Sequence, residues 1–143
     1  MTDTELIKLA MEARKRAYVP YSRFSVGAAL LCKDGSVYQG CNIENAAYGP
    51  TNCAERTAFF RAVYDGERDF EAIGIVAGAV GKPATELSGP CGVCRQVMME
   101  FCDPKTFRIV MATNPEQPIS RTLEELLPLG FGPANLECIE TDE

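Results

Sequence analysis

The sequence predicts an α/β domain in which helices cover both faces of a layered sheet. Helical and strand patterns alternate along the chain, which is typical of such layered folds. The length of 143 residues and the 46% share of hydrophobic residues fit one compact domain, residues 1–143, whose core can form without disulfides. We find no internal repeat, low-complexity tract or linker that would divide it.

The first half of the chain predicts a helix, a hairpin and a second helix. Apolar residues at helical spacing over Thr4–Ala17 indicate an amphipathic helix. Two mostly apolar runs, Ser25–Cys32 and Val37–Asn42, are joined by a short turn that contains glycine, which predicts a β-hairpin. After a turn-rich stretch, Asn52–Tyr64 has the spacing of a helix, and Gly66 is expected to end it.

The second half predicts two more strands and two more helices. Ala72–Val80 is a short apolar run that is typical of a buried strand. Cys91–Phe101 is compatible with a helix and Phe107–Ala112 with a strand. Thr122–Leu127 predicts a short helix that ends before a run of proline and glycine.

Charge and hydropathy exclude several classes of function. The chain has 14 Lys and Arg against 20 Asp and Glu, a net charge of -6, so it lacks the positive field that attracts nucleic acid or anionic lipid. No apolar run approaches the about 18 residues of a membrane span, and the first residues lack the basic start of a secretory signal. We therefore expect a cytoplasmic protein that binds neither nucleic acid nor membrane.

The cysteine and histidine content narrows the chemistry further. The chain has 7 cysteines, and such an odd set in a reducing compartment is more typical of metal-binding, catalytic or core residues than of disulfides. It has no histidine, which excludes Ser-His-Asp and Cys-His catalysis and any zinc site built on imidazole.

Three of the cysteines stand at the starts of two predicted helices. Cys91 and Cys94 follow Pro90, and Cys53 begins the earlier helix. Helix starts expose free backbone amides and a positive dipole end, which stabilise thiolates and favour zinc ligation. Three thiolates can bind one Zn²⁺ and leave a fourth position for water, which is the pattern of catalytic zinc. Glu55, two residues after the first of these cysteines, can project into the same pocket as a proton carrier.

The Cys-x-x-Cys pair alone leaves two other interpretations open. One is a metal-free redox dithiol, in which Cys91 and Cys94 cycle between dithiol and disulfide. The other is a structural zinc module, in which one of Cys41 or Cys102 joins the three cysteines in a closed four-thiolate site. Neither interpretation requires Glu55.

Three segments carry most of the polar and cysteine motifs. They are residues 42–48 (NIENAAY), 52–58 (NCAERTA) and 90–97 (PCGVCRQV). A glutamate followed by Pro-Cys-x-x-Cys is the signature of zinc-dependent nucleobase deaminases, which include a three-cysteine version. Together with Phe24, Glu125-Leu126-Leu127-Pro128 and Phe131, these segments resemble cytidine deaminases of the small, homotetrameric type, from Tyr18 to Leu136.

The resemblance implies both a fold and a reaction. The fold is a three-layer α-β-α sandwich with a central mixed five-stranded sheet, and the assembly is a homotetramer in which neighbouring subunits complete each active site. The cofactor is one Zn²⁺ per subunit. The reaction is the hydrolytic deamination of the small nucleosides cytidine and 2'-deoxycytidine to uridine and 2'-deoxyuridine with release of ammonia, which belongs to pyrimidine salvage. A deaminase of a modified or antibiotic cytosine nucleoside, of the blasticidin type, is the alternative.

The resemblance also implies roles at the metal. Three thiolates, those of Cys53, Cys91 and Cys94, would hold the zinc, and Glu55 would be the acid and base that carries protons between water, the pyrimidine ring and the leaving amine. Arg56 would offset the negative charge of the thiolates. Arg95 is expected to be a surface or helix-packing charge instead.

The implied substrate contacts lie in three parts of the chain. Asn42 and Glu44 would hold the ribose hydroxyls, because an amide and a carboxylate can each accept a hydrogen bond from an alcohol. Phe24 would lie beside the base, and the backbone amide of Ala54 would meet the pyrimidine carbonyl. The residues expected to reach a neighbouring subunit's pocket are Ala46, Tyr48 and Phe131.

One segment departs from the family pattern, and several residues receive no functional role. Where the family has Ser-Pro-Cys-Gly, this chain has an added glycine, Gly89, which shifts Ser88, so no role is predicted for that serine. Asn45 is expected to be structural, and the run from residue 137 to 143 a solvated acidic tail. The cysteines expected to be small apolar core or edge residues are Cys32, Cys41, Cys102 and Cys138. Phosphorylated nucleotides are expected to be poor substrates, because the chain has no phosphate-binding loop.

Overall fold

The computed structural model of the chain describes residues 1–136. The helices are α1 (Asp3–Arg14), α2 (Ala54–Tyr64), α3 (Gly92–Phe101) and α4 (Leu123–Leu126), and a 3-10 turn follows at Pro133–Leu136. The strands are β1 (Phe24–Cys32), β2 (Val37–Cys41), β3 (Phe70–Ala79), β4 (Arg108–Met111) and β5 (Ile119–Thr122). The expected acidic tail, including Cys138, lies outside the described residues.

The strands form one mixed sheet of 5 strands in the order β2-β1-β3-β4-β5. β1 pairs antiparallel with both β2 and β3, and β4 pairs antiparallel with β5. β3 and β4 are parallel, so their connection must cross over the sheet, and α3 lies within it. The mixed five-stranded sheet expected for the family is therefore confirmed.

The two faces of the sheet are covered by different helices. Along β1, Ala29 and Leu31 belong to a core layer with Leu6 and Ile7 of α1. The alternate residues of the strand, such as Leu30, belong to the opposite layer with residues of α2, α3 and α4. Because successive strand residues point to opposite faces, this alternation gives the α-β-α sandwich.

Gly66 ends α2, as the sequence predicts. Its φ is 97°, a left-handed conformation that glycine adopts without strain. Its amide donates to Val63 O at 3.0 Å, and the amide of Glu67 donates to Ala62 O at 3.0 Å. These two bonds form a Schellman motif, which satisfies carbonyls at the end of the helix.

Most elements lie within one or two residues of their predicted bounds, but the first helix ends three residues earlier than predicted and one strand was not predicted from the local pattern. The first helix ends at Arg14 rather than continuing to Ala17, because the chain turns so that Tyr18 can pair with Ile43. β5 was not predicted, since it is a short strand at the edge of the sheet with no buried residue. Its apolar alternation is therefore too weak to mark it.

One glycine sets the distance between β2 and α2. A Cβ atom on Gly40 would lie 2.4 Å from Ala54 O and 2.6 Å from the amide nitrogen of Ala58. The start of α2 therefore lies directly on the backbone of β2, at a distance that only glycine permits.

None of the helices in the described part of the chain has the length and apolar character needed to span a bilayer.

Candidate active site

Three cysteine sulfur atoms meet where α2 and α3 begin. Cys53 is the N-cap of α2, Cys91 is the N-cap of α3, and Cys94 lies in the first turn of α3. Their Sγ atoms all lie within 4.8 Å of one another. The Cys53 and Cys91 sulfur atoms are 3.7 Å apart, and those of Cys91 and Cys94 are 3.4 Å apart. The fold thus gathers three residues from two distant parts of the chain into one cluster.

Backbone pairing and a side-chain bridge fix the start of α2. Ile43 and Asn52 exchange two backbone hydrogen bonds, of 3.0 and 2.9 Å, immediately before Cys53. The Asn52 side chain donates to Thr57 Oγ1 at 3.1 Å, and that hydroxyl donates to Cys53 O at 3.0 Å. Cys53 therefore enters the helix from a held position rather than from a free loop.

Arg56 supplies positive charge to the cysteine cluster. Its Nη2 lies 3.2 Å from Cys53 Sγ, and its buried Nε has no hydrogen-bond partner within residues 1–136. A hydrogen bond from the Cys94 thiol, followed by the bond from Arg56, lowers the pKa of Cys53 to about 5. Because the Cys94 thiol must keep its proton to donate that bond, the bond raises the pKa of Cys94, and burial and the nearby negative charges of Glu55 and Cys53 add to the rise.

The cysteine cluster fits one Zn²⁺. A divalent cation among the sulfur atoms removes the repulsion that opposes their joint ionisation, and three thiolates leave a fourth coordination position open. Arg56 offsets part of the remaining negative charge. Within residues 1–136, no further Cys, Asp or Glu atom joins this group, so neither Cys41 nor Cys102 closes the four-thiolate site of the structural-zinc interpretation.

Glu55 is a buried carboxyl group beside the cysteine cluster. It lies in the first turn of α2 and is only 4% exposed. Burial, with a smaller contribution from the negative charge of Cys53, raises the pKa of Glu55 to about 7. The Glu55 carboxyl group is not among the clustered metal-binding groups, and it titrates near neutral pH. Such a carboxyl group is suited to receive and return protons.

The predicted ribose-binding pair is held by the backbone around β1. Asn42 Oδ1 accepts from the Val26 amide at 2.8 Å, and Asn42 Nδ2 donates to Phe24 O at 2.9 Å. One oxygen of Glu44, Oε1, accepts from the amides of Tyr21 and Ser22 at 3.0 and 3.1 Å. A hydrogen bond from the Ser22 side chain, followed by those from the Ser22 and Tyr21 amides, lowers the pKa of Glu44. The Glu44 side chain is therefore an oriented carboxylate whose second oxygen, Oε2, does not accept either of the two amide bonds.

The other predicted substrate residues divide into buried and exposed ones. Ala54 is fully buried as the first residue of α2, next to Cys53. Phe24 is 45% exposed at the start of β1, and Ala46 is exposed in the loop before α2. Of the three predicted aromatic residues, Tyr48, at 71%, and Phe131, at 57%, are more exposed than Phe24. Neither ring is buried in this subunit's own core.

Some residues near the site were missed or undervalued from sequence. The amides of Tyr21 and Ser22, which hold Glu44, were not predicted, although Pro20 before them signals a turn. Arg95, expected to be a surface or helix-packing charge, is half-buried, and its Nη1 donates to Leu126 O of α4 at 2.6 Å, which is a helix-packing contact. Gly89, the added residue, lies against Met111 at an ordinary contact distance of 3.8 Å from its Cβ position, and it has no left-handed φ.

Comparisons with known proteins agree with this geometry. A family model described as the cytidine and deoxycytidylate deaminase zinc-binding region matches residues 1–111. A cytidine deaminase of Sporosarcina psychrophila is 51% identical over 133 residues, which cover 92% of this chain and 93% of that protein. One from Halalkalibacterium halodurans is 54% identical over 126 residues, covering 88% of this chain and 91% of that protein.

Solved structures show the same fold at high sequence identity. The crystal structure of cytidine deaminase from Burkholderia pseudomallei superposes with a TM-score of 0.81 and 46% identity, covering 92% of this chain and 100% of that one. The enzyme from Mycobacterium tuberculosis gives a TM-score of 0.74 and 41% identity, covering 90% of this chain and 95% of that one. By its cysteine cluster, its sheet and these similarities, the chain belongs to the cytidine and deoxycytidylate deaminase family.

Proposed function

We propose that this protein hydrolyses the exocyclic amine of cytidine and 2'-deoxycytidine, yielding uridine and 2'-deoxyuridine with release of ammonia. The observation that carries the proposal is the buried carboxyl group of Glu55 beside three sulfur atoms within 4.8 Å of one another. Relatives of 51% and 54% identity are named cytidine deaminases, and they align with nearly the whole chain. Pyrimidine salvage is the metabolic role that this reaction serves.

The metal cluster and Glu55 divide the chemistry between them. Cys53, Cys91 and Cys94 hold one zinc ion per subunit, and Arg56 offsets part of the thiolate charge. When bound, zinc supplies a Lewis acid that lowers the pKa of water to about 7 and so yields a nucleophile at neutral pH. Every proton movement is then assigned to Glu55.

Glu55 transfers two protons in sequence. It takes the first from the attacking water as the new carbon–oxygen bond forms at C4 of the pyrimidine, and it gives that proton to N3. It takes the second from the new C4 hydroxyl and gives it to the amine, which leaves as ammonia when the carbon–nitrogen bond breaks. The product keeps a carbonyl at C4 and a proton at N3, so atoms and charge balance.

The ribose is held by Asn42 and Glu44. The Glu44 carboxylate is already oriented by the Tyr21 and Ser22 amides through Oε1, and Oε2 accepts a hydrogen bond from a ribose hydroxyl. Asn42 keeps one hydrogen of its amide group for the sugar after donating the other to Phe24 O. Phe24 lies beside the base, and the amide of Ala54 donates to the pyrimidine carbonyl.

The active form is a homotetramer in the cytoplasm. Ala46, Tyr48 and Phe131 are exposed in the single chain, and in the assembly they complete the pocket of a neighbouring subunit. No disulfide joins the six cysteines within residues 1–136. The substrate is a small nucleoside, and no nucleic acid or membrane takes part.

The test is the loss of cytidine absorbance with purified protein, run beside Glu55→Gln and with zinc measured in both. The variant keeps the size of the side chain and removes its acid. We expect the wild type to turn over cytidine and the variant to keep one zinc per subunit while its kcat falls by about 10²- to 10⁴-fold.

Three results would contradict the proposal in different ways. Zinc-loaded wild type that leaves cytidine intact but deaminates a modified cytosine nucleoside would move the substrate to the blasticidin type. An unchanged kcat in Glu55→Gln would remove Glu55 from the reaction. Protein that carries no zinc after preparation in zinc-containing medium would favour the redox dithiol.

A further inference from the structure

The segment between α4 and the final 3-10 turn exposes apolar side chains. Leu129 is 103% exposed and Phe131 is 57% exposed, so neither side chain contributes much to the core of its own subunit. Leu129 also has a φ of 55°, a left-handed conformation that is costly for a residue other than glycine. Such a segment would be expected to move freely unless other contacts held its backbone.

Two consecutive residues of α3 hold that backbone. Arg95 Nη1 donates to Leu126 O at 2.6 Å, and Gln96 Nε2 donates to Phe131 O at 2.8 Å. Both residues directly follow Cys94 in the chain. The helix that carries two of the three zinc-binding cysteines therefore holds the chain just before this segment, at Leu126, and near its end, at Phe131. We call Arg95 and Gln96 the α3 clamp.

Close packing limits movement of the segment toward α3. A Cβ atom on Gly132 would lie 2.9 Å from Met99 Cε and 3.2 Å from Met99 O, and one on Gly130 would lie 3.2 Å from Met99 Sδ. The Gly132 amide also donates to Asn135 Oδ1 at 2.8 Å. The backbone around Phe131 is thus held against α3 by close packing on Met99 and by the hydrogen bond from Gln96.

We infer that the α3 clamp consists of positioning residues that aim Phe131 into the nucleoside pocket of a second copy of this chain. The inference rests on the proposed function, which places Phe131 in that pocket. It adds that the Gln96 side chain fixes the peptide of Phe131 itself, and that Arg95 fixes the segment at Leu126. Through the clamp, the position of the metal-binding helix in one subunit sets the position of an aromatic contact in the next.

The expected consequence falls on substrate binding rather than on chemistry. A ring on a held backbone binds without first having to be ordered, and releasing the backbone adds that ordering cost to each binding event. The Gln96 side chain donates to Phe131 O, which is not one of the reacting groups, so its loss should leave Glu55 and the cysteine cluster in place. Loss of the clamp should therefore raise KM more than it lowers kcat.

The experiment is a double-mutant cycle on the zinc-loaded protein. The variants are Gln96→Leu, which keeps the size of the side chain and removes the donor, Phe131→Ala, and the two combined. Glu100→Leu is the matched control, because Glu100 is exposed on the same helix one turn later and has no role in the site. For each we would measure kcat, KM for cytidine, zinc content and the mass of the assembly.

The inference predicts non-additive effects. We expect Gln96→Leu to raise KM about 3- to 10-fold, the range for loss of one hydrogen bond, with kcat within about twofold of wild type. In the Phe131→Ala background the same substitution should change KM by less than about twofold, because the effects of substituting two residues that act through one another are not additive. Glu100→Leu should match wild type.

Each contrary result has a different meaning. The fold-changes in KM of the two single variants could multiply in the double variant, or Gln96→Leu could leave KM unchanged. Either result would mean that the clamp does not act through Phe131, so the inference would be wrong while the deaminase proposal stands. If Phe131→Ala itself leaves KM unchanged, the proposed contact of Phe131 and the inference both fall. If Gln96→Leu loses zinc or dissociates the assembly, the clamp serves folding or assembly, and the inference is again wrong.

Discussion

The guanidinium group of Arg56 lies 3.2 Å from the sulfur of Cys53, three residues earlier in the chain. This spacing places both residues on one face of the start of α2, so the helix that supplies a zinc-binding thiolate also supplies a cation to it. Three thiolates carry one more negative charge than a zinc ion can neutralise. Arg56 therefore makes an all-cysteine zinc site compatible with the binding of a neutral nucleoside beside it.

Replacing Arg56 by Gln should weaken zinc binding and activity together. The variant keeps a polar side chain of moderate length but removes the charge that stabilises Cys53 Sγ. Loss of a residue that supports a metal ligand typically costs about 10- to 100-fold in metal affinity or activity. The measurement is zinc retention against a chelator of known affinity, with kcat measured at saturating zinc.

Arg121→Gln is the control for this prediction. Arg121 is exposed on β5, and its Nη1 donates to the adjacent Ser120 O at 2.8 Å. The control removes the same charge from the chain and should leave zinc retention unchanged. Equal zinc retention in Arg56→Gln and wild type would show that the guanidinium has no part in holding the metal.

Local rules predict the parts of the metal site on each helix, whereas the meeting of Cys53 with Cys91 and Cys94 was expected from the resemblance rather than from such rules, because the two helix starts lie far apart in the chain. A cysteine at a helix start and a second cysteine three residues later must lie near each other on the first turn, and the same holds for Cys53 and Arg56. The layered fold follows equally from local patterns, since apolar residues recur with one period in strands and with a different period in helices.

The parts that could not be predicted depend on contacts between distant backbone groups. Glu44 is held by the amides of Tyr21 and Ser22, and Gln96 by the carbonyl of Phe131, 35 residues away in the chain. Backbone donors and acceptors exist at nearly every residue, so sequence does not mark which of them a side chain will meet. Arg95, in the same helix, also donates to a distant backbone carbonyl, that of Leu126, and this contact could not be predicted for the same reason.

Gly40→Ala should damage the metal site from a distance. The added methyl group would lie 2.4 Å from Ala54 O, so either β2 or the start of α2 must move. Overpacking of this kind costs about 1–3 kcal/mol of unfolding free energy, and movement of α2 displaces Cys53 from the other two cysteines. We expect a lower Tm and weaker zinc retention, measured by thermal unfolding and metal analysis.

Gly89→Ala provides the matched comparison in the loop before the other metal-binding helix. Its added methyl group would meet Met111 Sδ at 3.8 Å, an ordinary contact, and the backbone there has no left-handed φ. This variant should keep the Tm and zinc content of the wild type. Similar losses in both variants would mean that the loop before Cys91, rather than close packing at β2, governs the site.

The buried thiol of Cys32 should make stability fall at alkaline pH. Cys32 is 1% exposed, and burial, with smaller effects from Glu67 and Asp34, raises its pKa to about 11. The unfolded chain releases this proton near the ordinary value of 9.0, whereas the folded chain keeps it until about 11. Between these values the folded state binds more protons, so the free energy of unfolding decreases as pH rises.

Two measurements check the prediction for Cys32. Iodoacetamide at pH 8 should leave Cys32 unmodified in the native protein and modify it in denaturant, while the half-exposed Cys41 reacts earlier and serves as an internal reference. In Cys32→Ala, at equal zinc loading, the decline of Tm between pH 9 and 11 should be smaller than in wild type. An identical decline in the two proteins would assign the alkaline loss to other groups.

Glu44→Gln should separate sugar binding from loop stability. The amide oxygen of the variant can still accept from the Tyr21 and Ser22 amides, as Oε1 of the carboxylate does at 3.0 and 3.1 Å. Its NH₂ group replaces Oε2, so the acceptor proposed for the ribose hydroxyl is lost along with the charge. We expect KM for cytidine to rise about 10- to 100-fold, the range for a hydrogen bond to a charged group, with Tm within about 2 °C of wild type.

Glu44→Ala completes the comparison because it removes both functions of the side chain. The Tyr21 and Ser22 amides then lose their acceptor, and the loop before β1 should loosen, so Tm should fall as well as affinity. A drop in Tm that is equal in the two variants would mean that the charge of Glu44, not its hydrogen-bonding oxygen, holds the loop. A normal KM in Glu44→Gln would instead remove Glu44 from the sugar site, and the ribose would have to be held by Asn42 and by groups of a neighbouring subunit.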